Sequence, residues 1–136
     1  MYIDIIQAQN HMPDHYSDYL QGYRAVRLLE ESGTILGELV WRVVSGHNIE
    51  ITEFGIFKKN NRRKGWGTRL LEAAFEDMRQ YFVKINRPLW KVYLFCEEDN
   101  EEGRGFYESR GFRLEVVLKD FWADGNAVMY SQVLKF

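Results

Sequence analysis

Lys58-Lys59-Asn60-Asn61-Arg62-Arg63-Lys64-Gly65-Trp66-Gly67-Thr68 is the stretch on which the fold turns, because the spacing of apolar residues changes across it. Upstream, β-branched and aromatic residues come in three runs, Tyr23–Leu29, Ile35–Val44 and Ile49–Phe57. Short polar gaps, Glu31-Ser32-Gly33 and Ser45-Gly46-His47-Asn48, separate them, so the runs predict an antiparallel meander of neighbouring strands. Downstream, Leu70, Leu71, Ala74, Phe75, Met78 and Phe82 fall on one stripe of a helix, with Arg69, Glu72, Glu76, Asp77 and Arg79 expected to face water.

Working outward, Trp90, Val92, Leu94 and Cys96 alternate as a strand after Pro88. A strand, a long helix and a second strand favour a right-handed parallel crossover, which predicts that the strands at 49–57 and 89–96 run parallel. Asp99 or Asn100 can cap a short helix with Glu101 and Glu102 in its first turn, and Gly111 can stop it. Phe112–Leu118 and Val128–Leu134 then read as two strands around Ala123-Asp124-Gly125-Asn126. At the other end, Tyr2–Ile6 reads as a strand and Asp14–Leu20 as about two turns of helix after Pro13. The expected class is therefore α/β in the α+β sense: a mixed, mostly antiparallel twisted sheet of about six or seven strands with flanking helices.

Composition bounds the function. At 136 residues, 46% hydrophobic and 15% aromatic, residues 1–136 are expected to form one domain whose core needs no staples. The lone Cys96 cannot form an internal disulfide, which fits a reducing, cytoplasmic setting. No stretch approaches the ~18 apolar residues of a membrane span, and no secretory leader is legible. A net charge of -2 gives no global pull toward nucleic acid or anionic lipid, so an anion site must be local. His11 and His15 stand four apart, but Pro13 breaks that face and no further ligand clusters with them; no metal site is expected.

The candidate local anion site is the basic stretch itself, the alternative being a solvated basic turn with a helix-starting glycine pair. A helix start leaves main-chain N–H groups unpaired with partial positive charge, and Gly65 and Gly67 let a ligand approach that backbone. The dinucleotide fingerprint needs a third glycine where Leu70 stands, and the P-loop needs Gly-Lys-Ser/Thr, so neither nucleotide motif is met. Arg62-Arg63-Lys64-Gly65-Trp66-Gly67 instead resembles the Arg/Gln-x-x-Gly-x-Gly/Ala loop of the GCN5-related N-acetyltransferases (GNAT). Asn100-Glu101-Glu102-Gly103-Arg104-Gly105-Phe106-Tyr107-Glu108-Ser109-Arg110-Gly111-Phe112 is similar to the same family's Asn-x-x-Ala-x-x-Phe-Tyr-x-x-x-Gly-Phe segment. The segment Asp120–Met129 resembles the closing hairpin of the ribosomal-protein alanine acetyltransferase branch. Gly103 replaces the usual alanine, Lys59-Asn60-Asn61 replaces a common Pro-x-Tyr, and the region before Tyr23 is short for the family's acceptor-site helices.

The resemblance implies the GNAT fold, with a central parallel pair splayed apart, and an acetyl-CoA-dependent N-acetyltransferase that moves the acetyl group directly to a primary amine. Gly55, Ile56 and Phe57 would hold the thioester and pantetheine arm through their backbone. The loop Arg62, Arg63, Lys64, Gly65, Trp66, Gly67 and Thr68 would hold the pyrophosphate, and Asn100 would bind the arm or cap its helix. A main-chain N–H aimed at the developing oxyanion supplies the stabilisation that acyl transfer requires. Tyr107 takes the family's general-acid position, to protonate the departing thiolate.

Glu53 is the first candidate base, directly or through a water, and Glu97 a substitute; a relative's base position is held here by Phe95. A base is needed because a lysine amine with pKa about 10.4 is protonated at pH 7, an α-amine at about 8 less so. Cys96, with no histidine in its segment, reads as packing rather than as a covalent nucleophile. The acceptor stays open between a small-molecule amine and a protein or peptide amine, and the protomer between monomer and homodimer. Two alternatives compete: a CoA-binding or sensory module without transfer, and nucleic-acid binding through Lys58–Lys64, which the acidic remainder of the chain opposes.

Overall fold

The computed structural model of the chain describes residues 1–7, 23–45 and 47–134. Seven strands form one sheet: β1 (Tyr2–Gln7), β2 (Tyr23–Leu29), β3 (Ile35–Ser45), β4 (Asn48–Ile56), β5 (Lys91–Glu97), β6 (Arg113–Trp122) and β7 (Gly125–Val133). A long helix α1 (Trp66–Lys84) and a short one α2 (Glu101–Ser109) complete the described elements, with a single 3-10 turn at Lys59–Asn61. The strand order is β1-β2-β3-β4-β5-β7-β6. All neighbours are antiparallel except β4 and β5, which run parallel on either side of α1, as the crossover argument requires. The expected helix at Asp14–Leu20, with His11 and His15, lies outside the described residues. No helix among the described residues is long and apolar enough to cross a membrane.

The apolar stripe of α1 packs on one face of the sheet. Leu70, Leu71, Ala74, Met78 and Phe82 are buried against Val26, Leu39, Trp41, Ile49, Ile51, Val92 and Leu94. Asp77 departs from the expected wet face: it is buried because Arg24 of β2 reaches it with a two-pronged fork, Nε to Oδ2 at 2.8 Å and Nη2 to Oδ1 at 2.6 Å. Trp41 Nε1 donates to the same carboxylate at 3.2 Å. Helical periodicity sorts residues by type; here a partner from another element reverses the sorting by satisfying the charge inside.

The last hairpin is longer than the sequence pattern indicates. β6 runs on to Trp122 and β7 begins at Gly125, leaving a two-residue turn, Ala123-Asp124. The extension bulges near Asp120, which adopts a positive φ of 53° while Asn126 Oδ1 accepts its N–H at 2.8 Å. Trp90 lies just before β5 rather than within it.

Two irregularities position the site. The parallel pairing of β4 with β5 covers only Asn48–Ile51 against Lys91–Leu94. Past that last rung, β4 continues to Ile56 bonded to β3 alone, and β5 to Glu97 bonded to β7 alone, so the two strands part. The parting coincides with a β-bulge: Val40 pairs with Glu53 and Trp41 with Ile51, leaving Thr52 as the extra residue of β4.

Candidate functional site

A cleft of about 500 Å³ opens beside the end of β4, past the point where that strand parts from β5. Its walls come from the end of β4 (Phe54, Gly55, Ile56), the loop into α1 (Arg62, Arg63, Gly65, Gly67, Thr68) and α2 with its cap (Asn100, Glu102, Gly103, Phe106, Tyr107) and Arg110.

The bulge decides which β4 groups face this cleft. Strict alternation from Ile49 and Ile51 would place Glu53 on the core face; the extra residue at Thr52 turns Glu53 away and brings Phe54 and Ile56 inward. The hydrogen-bond direction follows the same register. Phe57 N donates to Leu36 O at 2.8 Å, so by antiparallel alternation the main-chain groups of Gly55 also point to β3. Those of Phe54 and Ile56 point to the gap, where Arg62 Nε takes the Ile56 carbonyl at 2.9 Å. Of the three positions expected to grip a ligand arm through their backbone, only Ile56 turns its polar groups to the wedge. Gly55 lines the cleft as open surface, with nothing near the place of a Cβ, and Phe57 lies outside with an exposed side chain.

The loop into α1 has an unusual backbone. Arg63 and Gly65 take left-handed conformations, φ 60° and 84°, with Lys64 between them outside that region. Such alternation turns successive N–H groups toward one concavity. Among the described residues, none of the N–H groups from Arg63 to Thr68 has a main-chain acceptor; the first that does is Arg69, bonded to Gly65 O at 3.1 Å. The positive end of the 19-residue α1 lies behind them. The side chains of Arg62 and Arg63 line the cleft, that of Lys64 points to solvent, and Trp66 packs on the core with the Arg69 guanidinium 4.7 Å over its ring. Gly67 packs beside the Phe106 ring, which would lie 3.4 Å from a Cβ there, an ordinary van der Waals contact.

Sequence reasoning passed over Arg110, which belongs to this cleft. Its guanidinium donates to Thr68 Oγ1 from Nε at 2.9 Å and from Nη2 at 2.6 Å, and stacks 5.2 Å over Phe106. It thereby adds a third arginine and ties the start of α1 to the end of α2 across the cleft mouth. Its place just before Gly111 is the one signal the sequence carried.

Asn100 caps α2, its Oδ1 accepting Gly103 N at 3.0 Å. Gly103 leaves room for the Asn100 amide, which would have to shift to accommodate a Cβ there. Tyr107 reaches the cleft from a cluster of rings, with Phe106, Phe112, Phe54 and Tyr130 at centroid distances of 5.7, 5.8, 6.1 and 6.1 Å. Burial, with a smaller contribution from Cys96, pushes its phenol up to about 12. No group among the described residues hydrogen-bonds its hydroxyl. Cys96 is buried and its thiol is raised by desolvation, which keeps it protonated and a poor nucleophile.

The candidate base stands apart from these groups. Glu53 shares the opposite sheet face with Val40, beside Glu38. Burial first, and the neighbouring Glu38 charge second, raise its carboxyl above the ordinary glutamate value. Glu97, the substitute, ends β5 and faces a separate acidic hollow with Glu98, Asp99 and Asp124. No cluster able to hold a metal occurs among the described residues.

These features can be set beside known proteins. A family model described as an acetyltransferase (GNAT) domain matches residues 23–114. A GNAT family acetyltransferase from Elizabethkingia anophelis, solved with acetyl-CoA bound, superposes with a TM-score of 0.78 at 16% identity, covering 97% of this chain and 98% of that one. Ard1 from Thermoplasma volcanium gives 0.76 at 19% identity over 99% and 98%. The ribosomal-protein-S18-alanine N-acetyltransferase from Escherichia coli gives 0.75 at 14% identity over 99% and 94%. No curated protein matches the sequence significantly. The model spans most of the chain, including the split strands, the arginine-flanked loop and α2: the chain belongs to the GNAT acetyltransferase domain family.

Proposed function

We propose that this protein takes the acetyl group of acetyl-CoA and passes it directly to a primary amine. The observation that carries the reading is the opening between β4 and β5 past Ile51 and Leu94, with the N–H groups of Arg63–Thr68, which have no main-chain acceptor among the described residues, at its mouth. Acetyl-CoA supplies an activated thioester. A diphosphate suits the loop, because its charge would meet the helix end, the main-chain donors and the side chains of Arg62, Arg63 and Arg110 together. An extended pantetheine arm suits the gap, where it would take the place of a missing strand on Phe54 and Ile56.

In the reaction the N–H of Phe54 or Ile56 would donate to the carbonyl oxygen as negative charge develops there. Tyr107 serves the departing sulfur. With its phenol at about 12 it is fully protonated at any physiological pH and can donate a hydrogen bond to a thiolate. Glu53, its carboxyl raised above the ordinary glutamate value by burial and by Glu38, would accept a proton from the incoming ammonium through water from the opposite face of the opening.

Two measurements test this reading. Saturable stabilisation by acetyl-CoA is expected in thermal unfolding, and free thiol should appear when a suitable amine is added. No stabilisation at millimolar acetyl-CoA removes the reading. One observation favours a second: Glu53 does not line the cleft that holds Tyr107, so a module that binds CoA without transfer is the competing account. Stabilisation without acetylated product across peptide N-termini and small amines would select it.

A further inference from the structure

α2 carries Tyr107 yet has little of its own to hold it in place. It has nine residues, two of them glycine, and none of its side chains is fully buried. Glycine within a helix destabilises it relative to alanine, and helices this short are marginal without tertiary support. Something outside the helix must set its position.

Tyr130 of β7 supplies that support. It is fully buried, and its hydroxyl sits between two α2 side chains one turn apart. Arg104 Nε donates to it at 2.9 Å, and it donates to Glu108 Oε1 at 2.6 Å. The same Arg104 reaches the β5–α2 turn, Nη1 to Glu98 O at 2.8 Å, and Asn126 Nδ2 ties the Glu98 carboxylate to β7 at 3.1 Å. The two residues that grip Tyr130 flank Tyr107 in sequence, and the two tyrosine rings lie 6.1 Å apart. A bond on each side of the Tyr130 oxygen fixes both the height of α2 over the sheet and its rotation. These bonds act beside the ring packing and the Arg110–Thr68 bonds at the C-terminal end of the helix.

We propose that Tyr130, through Arg104 and Glu108, is a positioning residue for the reaction: it holds α2 in the rotation that aims the Tyr107 hydroxyl into the opening between β4 and β5. The inference rests on the transferase reading and on Tyr107 as the hydrogen-bond donor to the departing sulfur. Tyr130 itself touches no reacting atom, since it lies behind Tyr107 and does not line the cleft.

A double-mutant cycle on steady-state acetyl transfer, read as thiol release, tests it. Tyr130→Phe keeps the ring and removes the oxygen. It should lower kcat about tenfold while KM for acetyl-CoA stays within about twofold, because the loop and β4 are untouched. Once Tyr107→Phe has removed the hydroxyl being aimed, adding Tyr130→Phe should cost no further kcat. Equal losses in both backgrounds, or an unchanged kcat in Tyr130→Phe, would overturn the proposal and leave Tyr130 a packing residue. Should Tyr130→Phe fail to fold, Glu108→Ala at its exposed site should show the same dependence on Tyr107, and an additive loss there overturns the proposal equally. Tyr107→Phe as active as the parent would remove the donor role on which the proposal rests; no acetyl transfer by the parent would remove the transferase reading itself.

Discussion

Replacing Tyr107 with phenylalanine separates catalysis from folding unusually well in this protein. The ring sits among Phe54, Phe106, Phe112 and Tyr130, and phenylalanine keeps all four contacts. The hydroxyl has no hydrogen-bonding partner among the described residues, so its removal deletes no protein bond. Stability should therefore change by less than about 1 kcal/mol, with any change toward greater stability, because a half-buried hydroxyl no longer needs solvating. The catalytic effect is bounded by the phenol's own pKa. At about 12 it lies some 3.5 units above an ordinary thiol, so complete proton transfer to a free thiolate is uphill by about 5 kcal/mol. A hydrogen bond to a sulfur bearing partial charge remains available. Its loss is expected to lower kcat about 100-fold, at the low end of acid catalysis, with KM for acetyl-CoA nearly constant. Chemical denaturation and steady-state thiol release on the same preparations decide the matter. A variant with unchanged kcat, or one that loses stability in step with activity, would refute the reasoning.

Three further outcomes follow from particular residues. Gly65→Ala meets open space but must hold φ 84°, a strain of about 1 to 2 kcal/mol, so acetyl-CoA affinity by calorimetry should fall roughly 5- to 30-fold; unchanged affinity would show that the loop conformation is not used. Asp77→Asn leaves the half-buried Arg24 charge without its carboxylate and should cost about 2 to 4 kcal/mol in urea unfolding; a loss below about 0.5 kcal/mol would mean that the buried pair is not a fixed element. If Glu53 is the base, kcat/KM should rise with pH through a value above the ordinary glutamate range, since the base works only when ionised, and Glu53→Gln should abolish that acid limb; persistence of the limb would assign the proton to another group.

Much of the architecture was legible because two periodicities meet at the Lys58–Thr68 stretch. Alternation before it gives the meander, the helical stripe after it gives α1, and together they require the parallel β4–β5 pair. The loop's backbone geometry was legible as well, since N–H groups without main-chain acceptors at a helix start depend on backbone and glycine alone. What stayed hidden depends on partners far along the chain. Asp77 looks solvent-facing until Arg24, 53 residues earlier, is brought beside it. Arg110 looks like a surface cation until α2 lays it on Thr68, 42 residues away. The bulge at Thr52 has no mark in the sequence, yet it reverses which of Glu53 and Phe54 faces the core side, and with it which main-chain groups a ligand would meet. A register shift of one residue is invisible to composition and decisive for chemistry.

The account depends on acetyl-CoA lodging between β4 and β5 with its diphosphate on the loop into α1, and titration of the isotope-labelled protein followed by amide resonances tests this directly. Saturable shifts should concentrate at the amides of Arg63–Thr68, with Phe54, Ile56 and residues of α2 following the same binding curve. Shifts confined to another surface, or none at saturating acetyl-CoA, would contradict it.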